Sequence, residues 1–70
     1  MNPTKIEDLP SWKQYEAKQM KKDGFRYMAL FTTIDGDLGP VCFYDKTEVD
    51  AYTKQFPPSD KTTVKWSFKL

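Results

Sequence analysis

The chain has 70 residues, eleven Lys and Arg against ten Asp and Glu, and no His. A domain of this size buries only about 60% of the surface its unfolded chain exposes, so a deep cleft with a supporting shell is hard to build and an enzyme is disfavoured. With no His and with Cys42 as the single cysteine, the chain cannot assemble a Ser-His-Asp or Cys-His site, a Cys/His zinc site or an internal disulfide on its own.

Residues 11–23 read as a helix. Ser11 followed by Gln14 has capping-box spacing. Trp12, Tyr15, Gln19 and Met20 form a helical stripe, while Lys13, Lys18, Lys21 and Lys22 fall mostly elsewhere. Gly24 fits as the stop. Residues 25–34 are rich in aromatic and β-branched types and read as a strand. Asp35-Gly36-Asp37-Leu38-Gly39 is turn chemistry, with Asp-Gly a strong hairpin signal. Residues 40–44 read as the return strand, at a sheet edge because Pro40 cannot donate to a ladder.

Asp45 and Glu48 have the spacing of a helix cap, and Val49, Tyr52, Thr53 and Phe56 give that helix its buried stripe. Pro57-Pro58 ends it. Residues 62–69 alternate strictly and read as a third strand. The expected fold is therefore α+β: a single domain over 1–70, in α-β-β-α-β order, with a three-stranded sheet of order 2-1-3 and two helices packed on one face. A right-handed crossover from strand two through helix two to strand three favours that order.

The hairpin also suggests faces. A two-residue turn at Asp35-Gly36 pairs Ile34 with Asp37, and a four-residue loop pairs it with Gly39. Both place Arg26, Met28, Leu30, Thr32, Val41, Phe43 and Asp45 together. The shorter turn sets Arg26 opposite Asp45. This aliphatic face suits the helices, and Val64, Trp66, Phe68 and Leu70 are expected to join it. The other face then carries Phe25, Tyr27, Ala29, Phe31, Cys42 and Tyr44, flanked by Lys61, Lys65 and Lys69. A loop of odd length would shift the pairing by one and break the assignment.

Contiguous exposed apolar surface marks an interaction site. The candidate binding residues are thus Phe25, Tyr27, Phe31, Tyr44, Lys61, Lys65 and Lys69. Aromatics with cations also suit single-stranded DNA or RNA, which stacks bases on rings and lays phosphates along lysines. Against nucleic acid stand a net charge of only +1 and the absence of an RNP-type consensus.

Asp35-Gly36-Asp37 faintly echoes a calcium loop, but Lys46 stands where the closing Glu belongs, leaving a turn. Cys42, mid-strand among apolar neighbours, reads as a small hydrophobe. No catalytic pair, cofactor motif or metal site emerges. No segment is apolar enough to span a membrane and the N-terminus lacks a signal-peptide stretch, so the chain reads as soluble and cytoplasmic, and as a complete short gene product. The expectation is a non-catalytic module that occupies a surface of a larger protein or of a second copy of itself. Base rates associate chains of this kind with accessory regulators and inhibitors, including those of phages and mobile elements. The alternative is a single-stranded nucleic-acid binder.

Overall fold

A computed structural model describes residues 2–70. A 3-10 turn at Ile6–Asp8 precedes α1 (Ser11–Lys22), followed by β1 (Tyr27–Thr33), β2 (Gly36–Phe43), α2 (Lys46–Thr53), a second 3-10 turn at Pro58–Asp60, and β3 (Thr63–Lys69). The three strands form one sheet in the order β2-β1-β3, with β1 central and antiparallel to both neighbours. The α-β-β-α-β order and the central position of β1 follow the sequence expectation.

The helices do not share a face. Met28 packs with Ala17 of α1, with Ile6 and Leu9 of the first 3-10 turn region, and with Phe68. Its neighbour Ala29 packs with Phe31, Phe43 and Val49 of α2. Successive strand residues point to opposite faces. The sheet is therefore sandwiched, with α1 on the Met28 side and α2 on the Ala29 side. This corrects the expectation of two helices on one face, and it removes the open sheet face on which the candidate binding surface was drawn.

The reason lies in the hairpin. Thr33 pairs with Gly36, so the two-residue turn is Ile34-Asp35, not Asp35-Gly36. The Thr33 hydroxyl closes it, donating to the Gly36 carbonyl at 2.9 Å and accepting from the Asp35 N–H at 3.1 Å. That slip is two residues and would leave every face unchanged. Farther along, Phe31 pairs with Leu38 but Ala29 with Val41, so Gly39 and Pro40 together oppose Leu30. This bulge adds one residue to β2, and one residue inverts the facing of all that follows. Val41 and Phe43 move to the Phe31 side, and Cys42 joins Met28.

Gly39 is what permits the bulge. Its φ is +104°, and a Cβ there would sit 2.9 Å from the Val41 nitrogen and 3.3 Å from the Ala29 oxygen. A side chain at this position meets backbone that has nowhere to go. A second irregularity lies directly across β1: Leu30 pairs with Trp66 but Phe31 with Val64, which leaves Lys65 as the extra residue. Val64 consequently leaves the face it was expected to share with Trp66, Phe68 and Leu70. The register also brings Tyr27 opposite Phe43, and among the described residues no ion pair joins Arg26 to Asp45.

Helix α1 is oriented differently from its apparent stripe. Ala17 is wholly buried and Met20 half-buried, whereas Trp12 is 66% and Tyr15 69% exposed. A small residue marks where a helix backbone lies closest to its support. Ser11 makes no capping bond, because the cap position is Pro10. Gln14 instead turns back, its side-chain N–H donating to the Leu9 carbonyl at 2.8 Å and the Glu7 carbonyl at 3.2 Å. These bonds fasten α1 to the turn before it. At the other end, Gly24 takes a φ of +101° and donates to the Lys21 carbonyl, and Phe25 donates to the Met20 carbonyl, a glycine-terminated stop as anticipated.

Candidate functional site

The residues anticipated as one surface lie in three places. Phe31 is fully buried beneath α2, packed edge-on against Phe43 and tilted against Tyr52, and takes no part in any surface. Tyr27 is half-buried on that same side. Lys61 and Lys65 lie toward the hairpin end. Lys61 follows the 3-10 turn whose Asp60 carbonyl accepts from Ile34, and Lys65 is bonded to Asp37 at 3.1 Å. Phe25, Tyr44 and Lys69 do come together, at the opposite end of the sheet. Phe25 and Tyr44 stack with centroids 4.3 Å apart and planes 18° from parallel, and Phe25 shares a cleft with Lys69.

The most exposed rings, Trp12 and Tyr15, lie outside the surface expected from the sequence. Trp12 and Tyr15 stand one turn apart on the outer side of α1. Lys13 Nζ lies 4.9 Å from the Trp12 ring centroid, a cation–π distance, and 3.3 Å from Glu16 Oε2. The available signal was Ala17, the one small apolar side chain of the helix. Had it been taken as the point of closest approach, Trp12 and Tyr15 would have been placed outside.

Beside them, a groove of about 280 Å³ runs between α1 and β2. Lys13, Glu16 and Met20 form the helix wall; Phe25, Met28, Pro40, Val41 and Cys42 form the sheet wall and floor. Ligand pockets typically span about 300–1,000 Å³. This groove is at the lower edge of that range and can seat one or two side chains. Its thiol is held toward the protonated form. Burial pushes the Cys42 pKa up and the Glu16 carboxylate adds to the rise, outweighing the opposing Lys13 charge.

A second cleft, of about 310 Å³, opens under the C-terminal end of α1, where Lys21, Arg26 and Lys69 converge around Phe25. Among the described residues there is no group of three or more His, Cys, Asp and Glu side chains placed to hold a metal, and no helix long and apolar enough to cross a membrane. Comparison with protein-family models, with curated proteins and with solved structures finds no match for this chain.

Proposed function

We propose that the chain is a non-catalytic binding module that occupies a surface of a larger protein through the outer side of α1 and the adjoining groove. The observation that carries this is the exposure of Trp12 and Tyr15, 66% and 69%, on adjacent turns of one helix. Trp and Tyr dominate interface hot spots because each buries a large rigid ring while keeping a polar tip. The groove offers the reciprocal feature, a seat for a side chain of the partner. Helix α1 carries four lysines against a single Glu, so the matching surface is an apolar depression rimmed by carboxylates. Such a module acts as an accessory regulator or inhibitor in the cytoplasm, of the sort that phages and mobile elements encode.

Self-association through a sheet edge is the weaker form of this reading. Both edge strands carry features that discourage pairing: Pro40 and a bulge in β2, Lys65, Lys69 and a bulge in β3. The test places a photo-crosslinking residue at Trp12, at Tyr15 and, as control, at Lys54 beyond α2, in the native host. Adducts from the two α1 positions alone, lost on competition with unlabelled protein but not with a Trp12→Ala/Tyr15→Ala variant, support the surface. Equal adducts from all three positions, or competition by the variant as strong as by the parent, refute it.

A further inference from the structure

The cleft at the end of α1 shares Phe25 with the groove beside α1 but is otherwise lined by different residues and has different chemistry. Its three cations come from three elements: Lys21 from the last turn of α1, Arg26 from the segment entering β1, and Lys69 from the end of β3. Among the described residues none of the three makes an ion pair, whereas Lys13 and Lys65 both do. Gly24, Phe25 and Leu70 complete the lining, which includes no Asp or Glu, and Asp23, although near in sequence, stands outside it. The negative end of the α1 dipole is blunted there, because the Gln19, Met20 and Lys21 carbonyls accept from Asp23, Phe25 and Gly24. Backbone holds the walls in place: Leu70 N–H donates to the Arg26 carbonyl at 2.8 Å, and Arg26 N–H to the Phe43 carbonyl at 2.9 Å.

An aromatic platform adjoins the cations. Phe25 forms part of the cleft and stacks on Tyr44, which is 55% exposed. The Tyr44 ring lies beside Gly24, itself part of the cleft wall: a Cβ on Gly24 would be 3.7 Å from Tyr44 Cε1. An exposed ring backed by a second ring, next to three unpaired cations, matches what a nucleotide unit of a single strand requires. The base stacks on the ring and the phosphates meet the charges.

We propose that Lys21, Arg26 and Lys69, with the Phe25–Tyr44 stack, form a binding site for the phosphates and one base of single-stranded nucleic acid. The site is small, and the net charge of +1 provides little long-range attraction. Binding is accordingly weak and local. With about three phosphates neutralised, log Kd should rise against log salt with a slope of about 2, from about 0.7 per contact on single strands.

The test is fluorescence anisotropy with a short labelled oligothymidylate and a matched duplex, titrated at several salt concentrations. The expected result is single-strand binding with that slope, preferred over the duplex. Arg26→Ala/Lys69→Ala should bring the slope down to about 0.7, and Tyr44→Ala should weaken binding several-fold at unchanged slope. Trp12→Ala/Tyr15→Ala should bind the strand as well as the parent, so failure here and failure of the α1 surface are distinguishable. The proposal falls if no binding appears at low salt, if the duplex binds equally, or if the charge variants keep the full slope. Displacement of the strand by inorganic pyrophosphate together with indifference to Tyr44→Ala would reduce the site to a bare anion cleft, which also overturns it.

Discussion

Phe31 shows how far one residue's setting can depart from its apparent role. It has no exposed surface, and its ring lies 4.6 Å from Tyr52 and 6.0 Å edge-on from Phe43. Phe31→Ala should therefore cost about 3–5 kcal/mol, the transfer loss plus the cavity left behind. Tyr44→Ala, at a half-exposed ring with one stacking partner, should cost about 0.5–1.5 kcal/mol. A denaturant titration giving equal losses for the two would contradict the placement of Phe31. Cys42 offers a second residue-scale check. Because burial and then Glu16 raise its pKa, its alkylation should be slower at neutral pH than that of a free cysteine, and should rise only at higher pH. Glu16→Gln should move that rise toward ordinary pH. Reaction at the free-thiol rate in the folded protein would show that the thiol is not held down.

At the scale of elements, α2 depends on its first turn. It has only eight residues, too few to be stable by propensity alone. The Asp45 carboxylate accepts from Thr47 N–H at 3.2 Å, and Glu48 reaches back to the N–H groups of Asp45 at 2.9 Å and Tyr44 at 3.1 Å. Asp45→Ala should lose about 0.5–2 kcal/mol, and Glu48→Gln should lose less than Glu48→Ala because an amide oxygen can still accept. The Arg26→Ala and Asp45→Ala losses should simply add in a double-mutant cycle, since the observed register separates the two residues. A coupling energy above about 0.5 kcal/mol would restore the pairing that the bulge displaced.

Across the whole molecule, the two outer layers are held unequally. Helix α2 contributes Val49 and Tyr52 to a cluster with Ala29, Phe31 and Phe43, whereas α1 reaches its core only through Ala17, with Met20 half-buried and the Gln14 bonds tying it to the preceding turn. Opening of α1 alone should need less free energy than global unfolding. Native-state hydrogen exchange should find α1 amides less protected than those of β1, and Ala17→Leu should widen the gap by forcing the helix off the sheet. Equal protection in α1 and β1 would mean that α1 opens only when the whole domain unfolds.

Local chemistry was legible in the sequence. The absence of His and the lone Cys42 leave this chain without the residues for a His-based triad, a Cys/His zinc site or an internal disulfide of its own. The Asp45–Glu48 spacing marked the start of α2, Gly24 the end of α1, and the order of elements with the crossover preference put β1 in the centre. Each depends on residues near in sequence or on a topological rule, so no distant contact could overrule it. The faces were decided elsewhere. A bulge at Gly39-Pro40 shows in the sequence only as Gly followed by Pro, yet it adds the one residue that swaps Val41 and Phe43 with Cys42. Side-chain facing in a strand has a period of two, so a single inserted residue downstream of the turn reverses every assignment beyond it. Phe31 keeps the side of β1 that alternation gives it, but α2 covers that side, so it lies in the core. Trp12 and Tyr15 were read as a stripe at helical spacing, and only the seating of Ala17 against Met28 and Phe68 decided that this stripe faces outward. Periodicity identifies a face of a helix or strand, but what that face meets depends on packing between segments far apart in the chain.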